Sequence, residues 1–176
     1  MDLNGLPGST APIKNFDPLG YAQVGSPETF NWFRASELKH GRVAMLATTG
    51  YLVQAAGFHL PGMLSQDVSF ESLSGMNPID QWAAVSDAGK WQIIGTIFIA
   101  EIFAETEKPH YLNGGKTAEL IFPKVDTSGV SEEVMNTKKS RELNNGRLAV
   151  IAIMSFLSEH AIPGSVPVLS GIEAFH

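Results

Sequence analysis

The hydrophobic positions of this chain gather into three mainly apolar segments that are separated by polar stretches. These segments are Val43–Leu60, Trp91–Ala104 and Leu148–Ile162. The middle segment is the shortest, because its 14 residues extend only about 21 Å as a helix, less than the roughly 30 Å hydrocarbon core of a bilayer. A membrane-spanning helix there has to include the polar residues on either side. The pattern predicts three long helices.

The distribution of basic residues predicts how these helices run. The first and third apolar segments each begin directly after a cluster of Lys and Arg, and positively charged loops stay on the side from which a helix inserts. Those two helices are therefore expected to be parallel, which requires the middle segment to cross back between them. We expect an all-α membrane protein with three transmembrane helices, in a single domain over residues 1–176, with spans at about 32–57, 88–107 and 139–161.

Composition excludes several classes of protein and leaves the membrane question open. A mean hydropathy of +0.03 also fits a soluble helical protein whose charges happen to cluster. The absence of cysteine excludes disulfide frameworks, thiolate metal sites and thiol nucleophiles. A net charge of -6 argues against nucleic acid as a partner, since phosphate binding needs a basic surface. Residues 1–12 lack an apolar signal core and an Arg-rich transit pattern, so we expect a targeting segment to be absent or already removed.

An internal repeat links the starts of the two parallel segments. Residues Ser36–Leu46 (SELKHGRVAML) correspond to Arg141–Ile151 (RELNNGRLAVI), with Glu, Gly, Arg and Ala at matching places. The Asn-Gly pair at 145–146 is by itself a turn signal. Its counterpart at 40–41 is a His-Gly pair among good helix formers, so we expect both helices to continue through the glycine.

Small residues recur along both helices of the repeat. Such residues let two helix backbones approach closely in a membrane, so we expect these helices to cross with pseudo-twofold symmetry. The residues are Gly41, Ala44, Ala47 and Gly50 on the first helix, and Gly146, Ala149, Ala152 and Ser155 on the other.

Each copy of the repeat also carries a Glu and an Arg five positions apart, about 140° around a helix. The two cannot pair comfortably within one helix, but they can pair across the crossing. Under pseudo-twofold symmetry Glu37 meets Arg147, and Glu142 meets Arg42. This exchange would neutralise four charges that are costly in lipid when left alone, so we expect Arg42 and Arg147 to form structural ion pairs.

The same repeat supplies candidate metal ligands. His40 and Asn145 lie three residues after Glu37 and Glu142, roughly on the same helix face, so each copy presents two outward ligands. Chlorophyll magnesium suits isolated ligands, because the macrocycle supplies the equatorial nitrogens and the protein gives only one axial ligand. A di-iron carboxylate bundle is the alternative, since it uses Glu-x-x-His on two helices. It fits less well, because Asn145 stands where that site needs His and only three long helices are available.

Four further polar residues near the predicted helices are candidate ligands with open alternatives. Glu101 on the middle helix is either a third ligand or a polar residue that faces a neighbouring subunit or water. Gln92 either binds magnesium, directly or through water, or caps the start of that helix. Glu159 and His160 lie near the end of the third helix, where an interfacial or loop position is the ordinary interpretation.

The repeat resembles the first and third helices of light-harvesting chlorophyll-binding proteins. The resemblance rests on Glu37–Leu46 and Glu142–Ala149, and it extends to Asn15–Gly20 before the first helix and to Trp91–Glu105 in the middle. The variant resembles the chlorophyll a/c antennas of algae with red-lineage plastids, and Ile162–Leu169 is similar to dinoflagellate forms. The resemblance implies the chlorophyll a/b-binding protein fold.

This resemblance implies a set of pigments and ligands. The pigments are chlorophyll a, chlorophyll c and carotenoids of the fucoxanthin or peridinin and diadinoxanthin type, with two carotenoids in the grooves of the crossing and residues 16–20 near one end. Relatives commonly carry a ligating Gln where this chain has Glu159, so the ligand there is either Glu159, with a proton or a partner charge, or His160. The other magnesium ligands implied are Glu37, His40, Glu101, Glu142 and Asn145.

The function implied is that of an antenna subunit and not of an enzyme. Such a subunit is a multi-pass protein of the plastid thylakoid membrane that passes absorbed light energy to a photosystem. Its implied partners are the core of photosystem I or II, neighbouring antenna subunits and thylakoid lipids. A photoprotective subunit that dissipates excitation is the alternative within the family, because it uses the same ligands with a different pigment spacing.

Overall fold

The computed structural model describes residue 3 and residues 5–106, 108–115 and 129–172. Over these ranges the regular secondary structure is helical, without a β-strand, and Met63 and Ser69 form an isolated bridge. The helical class expected from the sequence is confirmed. In chain order the elements are α1 (Tyr21–Val24), α2 (Pro27–Ala55), α3 (Phe70–Leu73), α4 (Pro78–Ala84), α5 (Asp87–Glu105), a 3-10 turn (Tyr111–Asn113) and α6 (Glu132–Ala161).

The predicted spans 32–57, 88–107 and 139–161 overlap the long helices α2, α5 and α6. α2 ends at Ala55 and α5 at Glu105, before the predicted ends, and residue 107 lies outside the described residues. α6 begins at Glu132, well before position 139, although its first turns are polar. The Ser131 hydroxyl accepts a hydrogen bond from the Val134 N–H at 3.5 Å, and Glu132 and Glu133 place negative charge at the positive end of the helix dipole. Capping and charge therefore extend this helix beyond its apolar part.

α6 continues without interruption through the Asn-Gly pair at 145–146, as the repeat predicts. Gly146 is buried, so this glycine serves packing and not a turn. The helix ends at Ala161, shortly before Pro163, because proline disfavours helical backbone in the residue that precedes it.

The chain groups into two compact units. The first comprises Met1–Val43 and Glu101–Leu148, and the second comprises Ala44–Ala100 and Ala149–His176. α2, α5 and α6 each contribute residues to both units.

The core of the second unit is formed where α2 meets α6. The buried rings of Tyr51 and Phe156 pack with their centroids 4.9 Å apart. One helical turn earlier on α2, the Thr48 hydroxyl donates to the Ala149 carbonyl at 3.2 Å. A threonine hydroxyl can reach the facing backbone only where the helices pack closely, so this bond marks a tight contact.

Apolar side chains of α5 are largely exposed. Trp91 is 73% exposed and Phe98 is 64% exposed, and no residue of α5 is buried. Among the helices that the structure describes, none has both the length and the apolar character that crossing a membrane requires.

Candidate functional site

The closest approach of α2 and α6 in the first unit lies at the two glycines of the repeat. A Cβ atom built on Gly146 would lie 2.8 Å from the Gly41 Cα, and one built on Gly41 would lie 3.1 Å from the Gly146 Cα. Both neighbours are backbone atoms, which cannot rotate away as a flexible side chain can. The crossing therefore has room for glycine alone at these positions.

The close contact involves fewer small residues than the repeat predicts. Ala44 and Ala149 are buried, in agreement with a packing role. Ala47 and Gly50 are exposed, and a Cβ on Gly50 would meet no heavy atom within 4 Å. The expectation for Gly50 was wrong, because the sequence spacing marks a helix face without showing how far along that face the contact extends.

Two reciprocal ion pairs join α2 and α6 in the first unit. Arg42 Nε lies 2.6 Å from Glu142 Oε1, and Arg147 Nη2 lies 2.7 Å from Glu37 Oε1. Arg147 Nε also donates to the same Glu37 oxygen at 2.8 Å. The pairing expected from the repeat is thus present in the structure. Each glutamate contacts its arginine through Oε1.

His40 and Asn145 occupy exposed positions on these same helices. His40 Nδ1 lies 2.8 Å from the Ser36 carbonyl oxygen. A carbonyl only accepts hydrogen bonds, so Nδ1–H is the donor in this contact, and in the neutral ring the lone pair is on Nε2. This is the tautomer that a metal-binding histidine uses, with its other ring nitrogen held by a backbone carbonyl. Asn145 is exposed on α6.

Glu101 on α5 has a cationic partner that the sequence did not reveal. Lys39 Nζ lies 2.5 Å from Glu101 Oε2 and 3.6 Å from Glu105 Oε1. All three side chains remain partly exposed. The first copy of the repeat has Lys39 where the second has Asn144, so this pair has no counterpart in the second copy and symmetry does not predict it.

The three remaining candidates lie in the second unit. Gln92 is exposed near the start of α5. Glu159 is fully buried, and its Oε1 and Oε2 accept hydrogen bonds from the N–H groups of Gly164 and Val166, both at 2.7 Å. The carboxylate of Glu159 therefore fixes the turn that follows α6.

His160, directly after Glu159, has a different environment at each ring nitrogen. Its Nε2 lies 3.5 Å from Asp80 Oδ1. Its Nδ1 is buried and has no hydrogen-bond partner among the residues that the structure describes. A buried nitrogen without a partner is unusual in a native protein and calls for a group that completes it.

A family match decides the identity of this arrangement. The family model described as Chlorophyll A-B binding protein matches residues 2–161. The chain belongs to this family. The match covers both copies of the repeat and α5, so the family that the repeat residues resemble is confirmed.

Chlorophyll a/c-binding members of the family are similar to this chain over most of its length. The fucoxanthin-chlorophyll a-c binding protein of Chattonella marina var. antiqua is 36% identical over 162 residues, which cover 91% of this chain and 70% of that protein. The fucoxanthin-chlorophyll a-c binding proteins E and F of Phaeodactylum tricornutum are 34% and 36% identical over 154 residues, which cover 85% of this chain and 75% of each relative. All three are described as chloroplastic.

An apolar cavity of about 690 Å³ lies beside the ion pair of Glu37 and Arg147. Aromatic rings of the first unit line it, and Glu37 and Arg147 contribute to the same wall. The segment before α1 contributes to the wall as well, including Phe16, which is 71% exposed. The cavity wall includes Phe16 and Asp17 and reaches back to Leu3. The residues before Phe16 lie in a segment without helical periodicity or a repeat, so no sequence pattern indicated their place in this wall.

Proposed function

We propose that this chain is a light-harvesting antenna subunit that binds chlorophyll a, chlorophyll c and carotenoid and passes excitation energy to a photosystem. One observation carries the proposal most directly: two glutamates on crossing helices, each balanced by the arginine of the other helix, in a chain of the chlorophyll A-B binding family. The similarity to fucoxanthin-chlorophyll a-c binding proteins supports the pigment types. Among the carotenoids, these relatives favour fucoxanthin over peridinin.

The charge balance explains how a carboxylate can serve as an axial ligand in apolar surroundings. An isolated ionised carboxylate is costly to remove from water, but a partner cation lowers that cost. Because Glu37 and Glu142 meet their arginines through Oε1, each has Oε2 for magnesium. Glu101 meets Lys39 through Oε2 and has Oε1 for the same purpose. When bound, chlorophyll supplies the light absorption.

Two neutral residues complete the proposed ligand set on the repeat helices. His40 offers Nε2, because its Nδ1–H is held by the Ser36 carbonyl. Asn145 offers its amide oxygen from an exposed position on α6. Neither ligand brings a charge, so neither needs a balancing cation in an apolar environment.

The surroundings of the two candidates near the end of α6 favour His160 over Glu159 as the ligand. Both Glu159 oxygens already accept backbone N–H groups at 2.7 Å, and the side chain is fully buried. We infer that Glu159 holds the turn after α6, and that His160, which is partly exposed, is the candidate ligand. Gln92, exposed at the start of α5, is a further candidate, either directly or through water.

We further propose that α2, α5 and α6 are the three membrane spans of a multi-pass protein of the plastid thylakoid membrane. Their own apolar character falls short of what a membrane span requires, so in this proposal bound pigment and the pairing of their charges make up the difference. The exposed apolar side chains of α5 support this, since apolar surface of this extent requires a cover of lipid, pigment or protein. Pseudo-twofold symmetry of α2 and α6 follows from the repeat and its reciprocal ion pairs. Thylakoid lipids, neighbouring antenna subunits and a photosystem core are the partners that such a protein requires.

The chain works without catalysing a reaction in this proposal. Its residues hold pigments at fixed separations, and no side chain has to transfer a proton or form a bond. The di-iron alternative needs the Glu-x-x-His carboxylates as shared metal ligands. Here Glu37 and Glu142 are committed to separate arginines, and the described residues contain no group of three His, Asp or Glu side chains that could hold a metal ion.

Reconstitution of the full chain with pigments tests the proposal. The chain is refolded in mild detergent with chlorophyll a, chlorophyll c and fucoxanthin, purified, and measured for pigment ratio and fluorescence excitation. We expect fixed pigment ratios and chlorophyll a emission when the carotenoid is excited. A colourless protein, or pigments in variable ratios without energy transfer, would refute the antenna function.

A matched pair of variants tests the ligand assignment separately. Glu142→Ala removes a proposed ligand, and Glu133→Ala removes an exposed glutamate from the first turn of the same helix. Only Glu142→Ala is expected to lose a chlorophyll. Equal pigment content in the two variants would contradict the assignment of Glu142 while leaving the antenna function standing.

A further inference from the structure

The segment before α1 is fastened to α6 by backbone contacts at Gly8. The Gly8 N–H donates to the Ser140 hydroxyl oxygen at 3.1 Å. The Gly8 carbonyl accepts from Arg147 Nη1 at 2.8 Å. Both the N–H and the carbonyl of Gly8 therefore bond to side chains of α6, and one of these side chains is Arg147 of the reciprocal ion pairs.

Neighbouring residues strengthen the same attachment. Arg34 Nη2 of α2 donates to the Pro7 carbonyl at 2.9 Å, and Asn144 Nδ2 of α6 donates to the Thr10 hydroxyl at 3.1 Å. The attachment thus involves side chains from both helices of the crossing. A loop held at several points has little freedom to shift the groups that it contacts.

The backbone conformation at position 8 favours glycine over other residue types. The φ of Gly8, +89°, lies in the left-handed region that favours glycine, and the residue is buried. A Cβ atom there would lie 2.9 Å from Leu143 Cδ1 and 3.2 Å from Arg147 Nη2. Both atoms are the ends of flexible side chains, so a Cβ at this position would displace the Leu143 methyl group and the Arg147 guanidinium.

The guanidinium of Arg147 uses its edges for different partners. Nε and Nη2 contact Glu37 Oε1, while Nη1 donates to the Gly8 carbonyl and to Asn144 Oδ1, the latter at 3.3 Å. A guanidinium is planar and rigid, so fixing one edge fixes the direction of the others. The Gly8 carbonyl therefore helps to set the orientation in which Arg147 meets Glu37.

We propose that Gly8 is a positioning residue for the pigment ligand Glu37, because it holds Arg147 in the orientation that leaves the second oxygen of Glu37 for magnesium. This inference rests on the proposed antenna function. The repeat alone predicts two equivalent ion pairs, and Gly8 adds to one of them a partner from outside the repeat. The chlorophyll on Glu37 consequently depends on residues that precede α1.

Two glycine variants form a matched test. Gly8→Ala and Gly5→Ala both place a Cβ on a residue in the left-handed region, since Gly5 has a φ of +79°. Only Gly8 has close neighbours, because a Cβ on Gly5 would meet nothing within 4 Å. Both full-length chains are reconstituted with chlorophyll a, chlorophyll c and fucoxanthin. The absorption and circular dichroism change produced by Glu37→Leu serves as the signature of the chlorophyll on Glu37.

We expect Gly8→Ala to lose that signature together with its chlorophyll, and Gly5→Ala to retain both. Ser140→Ala, which removes a contact of Gly8 without adding atoms, is expected to weaken the same signature and no other band. The positioning role is overturned if Gly8→Ala and Gly5→Ala have the same pigment content and spectrum, or if Gly8→Ala loses all pigments evenly while Ser140→Ala loses none. A wild-type chain that takes up no chlorophyll would overturn the antenna function, and the positioning role with it.

Discussion

Basic side chains accompany all three glutamates that we propose as chlorophyll ligands. Glu37 and Glu142 meet arginines, and Glu101 meets Lys39 at 2.5 Å. A paired carboxylate brings no net charge into apolar surroundings, where an unpaired one would be protonated or excluded. Removing the basic partner therefore also affects the glutamate, because the carboxylate is then left unpaired in apolar surroundings.

Arg147→Leu is expected to destabilise the pigment complex by about 3 kcal/mol. The substitution leaves Glu37 as an uncompensated charge, and broken buried pairs cost roughly 3–5 kcal/mol, whereas exposed pairs contribute only about 1 kcal/mol or less. The side chains are 47% and 35% exposed in the protein alone, and the expected value assumes that bound pigment and lipid bury the pair, as in our proposal. Denaturant titration of the purified pigment complex measures the change.

Arg141→Leu is the control for this prediction, because it removes an exposed arginine from the same helix. Its unfolding midpoint should stay close to that of the wild type. Normal refolding of Arg147→Leu with full pigment content would contradict the role of the ion pair.

Lys39→Met is expected to remove the chlorophyll of α5, and Lys39→Arg is expected to keep it. Methionine preserves the bulk of the side chain but leaves Glu101 without its cation, while arginine restores a positive charge at a similar reach. Pigment content per chain after reconstitution measures the difference, and Lys138→Met serves as a control at an exposed lysine of α6. If Lys39→Met and Lys138→Met bind the same pigments, Glu101 does not need the positive charge of Lys39 to bind chlorophyll.

The sequence revealed those contacts that an internal repeat duplicates. The pairing of Glu37 with Arg147 and of Glu142 with Arg42 follows from symmetry, because each copy contains half of each pair. Contacts that occur once have no such signal. Lys39 with Glu101 and the turn held by Glu159 each join a helix to a segment outside the repeat, and such partners depend on tertiary packing alone.

At the scale of helices, the hydropathy pattern predicted that three long helices exist, but it did not predict where each helix begins and ends. Each of the three apolar segments overlaps a long helix, although Val43–Leu60 continues past the end of α2 at Ala55. α6 nevertheless begins at Glu132, because a helix extends wherever capping and backbone hydrogen bonds are satisfied, and hydrophobicity is not required. The repeat corrected the local turn signal of the Asn-Gly pair at 145–146, since glycine has a packing use at this crossing.

Gly146→Ala is expected to destabilise the pigment complex, whereas Gly50→Ala is expected to be neutral or stabilising. Alanine at 146 would place its Cβ 2.8 Å from the Gly41 Cα and force the helices apart. At 50 there is open space, and alanine is favoured over glycine in a helix by roughly 1 kcal/mol. Thermal denaturation of both variants is monitored by the loss of carotenoid-to-chlorophyll energy transfer. The melting temperature should fall for Gly146→Ala and stay the same or rise for Gly50→Ala.

Gly95→Ala extends this comparison to α5, where a Cβ also meets nothing within 4 Å. It should behave like Gly50→Ala if protein contacts decide the outcome. Should Gly146→Ala melt at the temperature of Gly50→Ala, the crossing is looser than the glycine contact requires.

At the scale of the whole molecule, the protein itself supplies little apolar core. Within the described ranges seven apolar side chains are buried, and three of these are alanines. Large apolar residues such as Leu46, Trp91 and Phe98 are exposed by 76%, 73% and 64%. Burial of apolar surface is the main favourable term in folding, so a chain with so small a core needs other apolar matter to cover its helices. Pigments are that matter in our proposal.

Removal of the pigments is therefore expected to abolish cooperative tertiary structure while much of the helix content persists. α2 and α6 have 29 and 30 residues, long enough to retain helix in detergent, but the surfaces between them and the bound pigments would be lost. Far-ultraviolet circular dichroism of the stripped full-length chain measures helix content, and limited proteolysis and the aromatic circular dichroism measure packing. Re-addition of chlorophyll and carotenoid should restore protease resistance, which re-addition of detergent alone should not do. A stripped chain that unfolds cooperatively at the temperature of the pigment complex would show that the protein folds without its pigments, and the exposed faces would then need a different explanation.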